Sequence, residues 1–186
     1  DLRRPPQNSS TKPQMKIRAM WEELEEKDGH FLRQCRIFGV CSVIKIWKPK
    51  RKSSSIYSTT IHELAHASHW RMHRQAFRNT RKVVAESWAR GVQYALTRMV
   101  YPNYELVYSR LRYTGIVEDL IDGKKTTESC CFFVREGSKQ VGFRKYEDKV
   151  SGYTIKQIEE ALRGQETWNG WKENIKKRYD NPSEIY

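Results

Sequence analysis

The chain has 186 residues, 38% of them hydrophobic and 12% aromatic, which excludes wholesale disorder and is sufficient for one domain with a buried core. Its 35 Lys and Arg against 22 Asp and Glu give a net charge of +13, but no nucleic-acid-binding motif accompanies this charge, so we do not expect a nucleic-acid partner. No run of about 20 apolar residues is present, so no membrane span is expected in this chain. No C-x-x-C spacing of a zinc finger occurs among the four cysteines, Cys35, Cys41, Cys130 and Cys131.

The N-terminal part of the chain predicts an arm followed by short strands. Residues 1–13 are rich in Pro, Ser and charge, which is typical of a linker or N-terminal arm, so the folded domain is expected over 14–186. Residues 14–21 alternate apolar and polar side chains with the period of a strand. Residues 39–47 are β-branched and aromatic and predict a second strand, followed by a polar loop over 48–58.

Two consecutive helices are predicted next. Ser58 or Thr59 can cap a helix that reaches about Phe77, and Thr80 can cap a second helix over 81–100. This second helix has an apolar stripe made of Val84, Trp88, Val92, Ala95, Leu96 and Met99.

The remaining sequence predicts further helices and one hairpin. A helix is expected over 104–121, and a hairpin is expected from 130–134 and 140–146. Thr154 and Gln157 have the spacing of a capping box, which starts a short helix that Gly164 ends; a last helix is expected over 168–179. The sequence therefore predicts an α+β domain that is mostly helical.

The first of these helices carries the pentapeptide His62-Glu63-Leu64-Ala65-His66. Residues four apart on a helix lie on one face, and two neutral imidazoles so placed can bind one tetrahedral Zn²⁺ at about 2.0–2.1 Å. Glu63 is rotated by about 100° from His62, so it is a poor ligand to the same ion but can reach a water held there. Zinc lowers the pKa of such a water toward about 7, and Glu63 is then the predicted general base. The alternative is that both histidines are merely packed or exposed on an amphipathic helix.

Zinc needs a third protein ligand, and Glu86 is the first carboxylate after Glu63. It lies near the start of the next helix, which an antiparallel reversal would bring back toward the histidines. The small side chains at 85, 89 and 91 would allow the two helices to approach closely. The alternative for Glu86 is a solvated ion pair with Arg90.

Two further histidines follow the motif on the same predicted helix face. His73 lies about 10 Å along the axis from His66, too far to share the ion unless the helix breaks. His69 is nearer but also lies beyond the pair, so it is expected beside the site, as a support or a proton donor at the rim. Either histidine is alternatively a simple surface residue.

The runs TTIHELAHASHW and VVAESWARGVQYALT, over about 58–100, resemble the gluzincins, the thermolysin-like branch of the zincin metallopeptidases, and are especially similar to zincin domains of bacterial secreted proteins and lipoproteins. The resemblance implies a zincin-like fold with a small β-sheet beside the active-site helix. It carries over His62, His66 and Glu86 as ligands of one Zn²⁺ and Glu63 as the general base. It also implies a protein or peptide substrate and an exported protein.

Two positions depart from the gluzincin pattern. Arg90 stands where these enzymes have an Asp that orients a metal-binding histidine, so another residue, such as Ser87 or Asp119, must do this. The downstream histidine that stabilises the transition state is also missing, because no His follows His73. Donors that remain for this role are Arg90 and the tyrosines Tyr94, Tyr101, Tyr104, Tyr108 and Tyr113.

Other functions stay open beside the peptidase. Metzincins fit worse, because their pattern needs Gly and His at the positions of His69 and Met72. A SprT-like protease acting on DNA-bound proteins suits the motif and the charge, but the expected downstream His-Gly pair is absent. A catalytically silent domain that binds zinc or an anionic polymer is the alternative from a different functional class.

Overall fold

The computed structural model describes residues 15–20, 28–32, 43–47, 52–105, 116–121, 132–136, 139–144 and 151–179. The strands are β1 (Lys16–Ala19), β2 (Gly29–Leu32), β3 (Val43–Ile46), β4 (Phe132–Glu136) and β5 (Lys139–Arg144). The helices are α1 (Ser53–Met72), α2 (Arg74–Asn79), α3 (Lys82–Val100), α4 (Ile116–Ile121), α5 (Ile155–Leu162) and α6 (Trp168–Arg178). The predicted α+β class, mostly helical with a small sheet, is confirmed. None of the described helices has the length and apolar character that crossing a membrane requires.

The three N-terminal strands form one mixed sheet in the order β1-β3-β2. β1 runs parallel to β3, while β2 runs antiparallel to it with Gly29 opposite Ile46. Both predicted strands are present, but the sequence reading missed β2, whose four residues are too short for a clear alternation. The predicted hairpin is also confirmed as β4 and β5, which pair antiparallel.

Helix α1 is the central element, because apolar residues pack on two of its sides. Ala67 and Trp70 join Phe31, Ile44 and Ile46 of the sheet in one buried cluster. Ala65 faces a larger cluster between the helices, with members from α3 to α6 that include Trp88, Val117, Ile158, Leu162, Trp171 and Ile175. A helix held on two sides has a fixed position and rotation, so the polar side chains on its remaining surface are also fixed.

The ends of the first helices differ from the prediction. α1 begins at Ser53, inside the predicted polar loop, and it ends at Met72 instead of reaching Phe77. The break falls at His73, whose extended backbone caps α2 while its side chain accepts a hydrogen bond from the Ala76 amide. Thr80 does not cap α3; its hydroxyl donates to the Ala76 carbonyl at the end of α2 instead.

The later part of the chain mostly follows the sequence pattern. The capping box of Thr154 and Gln157 is confirmed, and Gly164 has the positive φ of 80° that a helix end favours. The helix predicted over 104–121 is correct for α4, but residues 101–105 are not helical. The predicted N-terminal arm, the four cysteines and residues 106–115 lie outside the described residues.

The predicted stripe of α3 is only partly buried. Val84, Trp88 and Val92 are each at most 1% exposed, whereas Met99 is 78% exposed. The stripe therefore leaves the core before the helix ends.

Gly91 lies at a close approach between α3 and α4. A Cβ atom at Gly91 would lie 2.0 Å from Val117 Cγ1 and 2.5 Å from Val117 Cβ. The small side chains noted on α3 thus do allow close packing, but at Gly91 the neighbouring helix is α4.

Replacing Gly91 with Ala tests this contact through the direction in which the unfolding free energy changes. Ala in a helix interior normally stabilises by about 0.8–1 kcal/mol relative to Gly. Here the added methyl group displaces Val117, so we expect the free energy of unfolding in urea to fall by about 1–3 kcal/mol. An increase in stability would contradict the close approach of α4.

Candidate metal centre

The site forms where α1 and α3 pack against each other. Ala65 of α1 and Ala89 of α3 are 2% and 0% exposed and belong to the same apolar cluster. Because these side chains are small, the helices approach closely enough for residues one turn away to meet. His62 and His66 lie either side of Ala65 in the chain, and Glu86 lies one turn before Ala89.

Three ligand atoms converge there. His62 Nε2 lies 3.1 Å from His66 Nε2 and 3.2 Å from Glu86 Oε2, and His66 Nε2 lies 3.5 Å from Glu86 Oε2. A tetrahedral ion with bonds of about 2.0–2.1 Å holds its ligand atoms about 3.3–3.4 Å apart. The three observed separations bracket this value. Among the described residues, His62, His66 and Glu86 are the group that can hold a metal ion.

The electrostatics of Glu86 favour its ionised form. Burial raises the pKa of this carboxyl, but hydrogen bonds from His62 and His66 outweigh the burial and hold the pKa well below its usual range. An ionised carboxylate beside two imidazole nitrogens is a donor set suited to a divalent cation. The predicted alternative, a solvated Glu86 paired with Arg90, is wrong: Glu86 faces the histidines, and Arg90 Nε lies 3.6 Å from Glu118 Oε1.

Gln93 contacts the ring nitrogen of His62 that faces away from Glu86 and His66. Its Oε1 lies 3.1 Å from His62 Nδ1, and its Nε2 donates to the Tyr104 hydroxyl over 3.2 Å. The sequence reading proposed Ser87 or Asp119 for such a role and missed Gln93. The available signal was the spacing, since Gln93 lies two turns after Glu86 and so on the same face of α3.

Glu63 lies in the groove between α1 and the sheet and is only 7% exposed. The backbone of β2 passes directly beside it. A Cβ atom at Gly29 would lie 2.8 Å from Glu63 Cγ, 2.9 Å from Glu63 Oε1 and 2.7 Å from Thr59 Cγ2. Gly29 is therefore required for the close approach of β2 to this carboxylate, which sequence reasoning did not identify.

His69 and His73 both have structural positions. His69 is 2% exposed, its ring meets the Phe77 ring edge-on at 4.8 Å, and its Nδ1 has no hydrogen-bond partner among the described residues. The predicted position at the rim is wrong for His69, because the side chain is inside the core. His73 caps α2, so its side-chain nitrogen is already engaged with the backbone.

The predicted donors to a developing negative charge that the structure describes all have other contacts. Arg90 is 6% exposed and lies beside Glu118. The Tyr94 hydroxyl accepts from Arg98, and the Tyr101 ring packs edge-on against Tyr57. Tyr104 contacts Gln93, as described above. Tyr108 and Tyr113 lie outside the described residues.

No family model matches the chain, and neither the curated proteins nor the solved structures contain a match. The resemblance to gluzincins, and the export that it implies, therefore stay predictions. What is observed is a converging set of ligand atoms and its supporting contacts.

The buried position of His69 predicts an acid sensitivity of the fold. Burial, with a smaller effect of the His66 charge, lowers the pKa of His69 from 6.5 to about 3. Between these values the unfolded chain binds a proton that the native state does not, so stability is complete above pH 6.5 and is lost as the pH falls. We expect the metal-free protein to lose about 2 kcal/mol of unfolding free energy between pH 7.5 and pH 5 from this group.

Urea unfolding of the metal-free protein and of its His69→Leu variant at several pH values measures this effect. Over this pH range the unfolding free energy of the variant should fall by about 2 kcal/mol less than that of the wild type, because the variant has no imidazole to protonate at position 69. Equal slopes in the two proteins would contradict a neutral, buried His69.

Proposed function

We propose that the protein is a zinc-dependent metallopeptidase, with His62, His66 and Glu86 holding one Zn²⁺. The observation that carries this proposal is the spacing of 3.1, 3.2 and 3.5 Å between three ligand atoms from two helices. Two nitrogen ligands and one carboxylate oxygen are the donor set of catalytic zinc sites that leave a fourth position open. The gluzincin-like sequence of α1 and α3 supports the same assignment.

In this proposal, the bound zinc supplies a water whose pKa is lowered toward about 7. Glu63 is the group that takes the proton from the attacking water and later gives it to the leaving amine. Its position on α1 next to the first ligand, and its burial against Gly29, give the carboxylate a fixed location with little exposure to solvent. Gln93 holds the His62 ring in place, so that the two histidines would not need to reorganise when the metal ion binds.

A peptide substrate is supported by the position of β2. This strand lies at the edge of the three-stranded sheet, and its Gly29 backbone contacts the Glu63 side chain. An edge strand can pair with an extended segment of another chain through backbone hydrogen bonds. Such a segment would then lie beside the proposed general base.

The second candidate is a domain that binds the metal but does not hydrolyse peptides. One observation favours it: Arg90, a predicted stabiliser of the transition state, lies buried beside Glu118. Losing one donor to the developing charge lowers the rate of such a site by about 10²- to 10³-fold.

The decisive experiment combines metal analysis with peptide hydrolysis. Protein purified without chelators should contain about one zinc per chain by elemental analysis, and His62→Ala, His66→Ala and Glu86→Ala should each lose it. Glu63→Gln should retain zinc while hydrolysis of a mixture of quenched-fluorescence peptides falls about 10²- to 10⁴-fold, because the variant has no general base.

Glu173→Gln is the matched control, since its carboxylate is 68% exposed on α6. It should retain both the zinc and the activity. A wild-type protein without zinc would refute the metal centre, and unchanged hydrolysis in Glu63→Gln would refute the mechanism. Full zinc content with no hydrolysis of any peptide would establish the silent domain instead.

Gly29→Ala tests the position of Glu63 without changing a ligand. The added methyl group overlaps with Glu63 and Thr59, so these side chains must shift. We expect peptide hydrolysis to fall about 10- to 100-fold, because a displacement near 1 Å is costly for catalysis, while the zinc content stays the same.

Gly29→Ala combined with Thr59→Ser separates the two contacts. The serine lacks the Cγ2 atom of threonine, so only the overlap with Glu63 remains in the double variant. Activity that returns to the wild-type level would show that Thr59 was the obstacle and would contradict the proposed role of Gly29.

A further inference from the structure

A chain of polar side chains leads from the convergence point to the end of α3. His62 Nδ1 lies 3.1 Å from Gln93 Oε1, and Gln93 Nε2 lies 3.2 Å from the Tyr104 hydroxyl. His62 and Gln93 come from different helices, and Tyr104 follows the end of α3. These hydrogen bonds therefore link α3 and the segment after it to the Nδ1 atom of a ligand on α1.

The direction of these hydrogen bonds determines which nitrogen of His62 carries the lone pair. An amide oxygen can only accept, so Gln93 Oε1 requires a proton on His62 Nδ1. A neutral imidazole with its proton on Nδ1 has its lone pair on Nε2, the atom that lies 3.2 Å from Glu86 and 3.1 Å from His66. In this orientation the Tyr104 hydroxyl accepts from Gln93 Nε2, which holds the amide in place.

The reversed amide would have the opposite effect. Its nitrogen would donate to His62 Nδ1, so a neutral His62 would then carry its proton on Nε2, where no metal ion can bind. The orientation of the Gln93 amide thus determines whether neutral His62 has its lone pair on Nε2, where it can bind a metal ion, or carries its proton there.

We propose that Gln93 is the positioning residue of the metal centre and that Tyr104 holds the Gln93 side chain in place. This inference rests on the proposed metal centre and deepens it. Gln93 does not touch the ion; it presents His62 in the tautomer and ring orientation that binding requires. The neutral amide adds no charge, so Glu86 supplies the only negative charge among the three ligands.

Zinc affinity is the first measurement, by competition of Zn²⁺ between the protein and a chromophoric chelator. Gln93→Leu should weaken binding about 10- to 100-fold, the usual effect of losing a partner of a ligating histidine. Gln93→Glu should bind as tightly as the wild type or more tightly, because a carboxylate still accepts from Nδ1. Tyr104→Phe should weaken binding about 2- to 10-fold and should have no further effect in the Gln93→Leu protein.

Gln75→Leu and Tyr179→Phe are the matched controls, since they make the same changes at an exposed position of α2 and at a tyrosine after α6 whose hydroxyl donates to Glu160. Both should bind zinc like the wild type. A Gln93→Leu protein whose affinity lies within twofold of the wild type would overturn the inference.

The tautomer of His62 is the second measurement, and it does not require metal. Long-range ¹H–¹⁵N correlation spectra at about pH 8 are recorded on the metal-free Glu86→Ala protein, in which no Glu86 carboxylate accepts a proton from Nε2. These spectra should show the proton on Nδ1, whereas adding Gln93→Leu to this variant should give a mixture of both tautomers. If the wild type binds no zinc but the Glu86→Ala protein has the Nδ1 tautomer, the proposed function fails and the role of Gln93 stands. If the two variants show the same tautomer mixture, the role of Gln93 fails.

Discussion

The close packing of α1 against α3 is the constraint on which the candidate site depends. Ala65 and Ala89 occupy the same apolar cluster, and their small side chains allow the two helices to approach closely. As a result, two imidazole nitrogens and a carboxylate oxygen lie within 3.1–3.5 Å of each other. Without this packing, the three groups would repel each other or remain solvated. Such a convergence requires a cation or shared protons between the groups, and the free energy for it comes from the apolar core on either side of α1.

The core around this site contains several buried polar side chains. Glu63, His69, Arg90 and Glu118 are each at most 7% exposed, and Glu159 accepts from Ser68 in the interior. Removing one partner of a buried charge pair is more costly than keeping both, so Arg90 and Glu118 fix α4 to α3 whether or not the pair adds net stability. The same helix pair is also held by the close contact of Gly91 with Val117. The α3 scaffold that presents Glu86 and Gln93 is thereby rigid on its far side.

The sheet contributes to the site through a single point of close approach. Phe31 and Ile44 pack against the α1 residues Ala67 and Trp70, which brings β2 alongside the helix. Gly29 then allows the strand backbone to touch Glu63 without a side chain between them. The ligands thus depend on helix–helix packing and the proposed base on helix–sheet packing, so the two can be changed independently by mutation.

Much of this arrangement was readable from the sequence, because local patterns dictate local structure. The spacing of His62 and His66, the capping box of Thr154 and the apolar residues of α3 each depend on neighbours within a few positions. Glu86 was identified because a carboxylate near the start of the next antiparallel helix can return to the histidines. The tertiary structure decided everything that depends on residues distant in sequence: that Arg90 lies beside Glu118, that His69 is buried, and that Gly29 makes room for Glu63. It also decided that Gln93 contacts His62, because the choice among side chains on one helix depends on how α1 and α3 are rotated against each other.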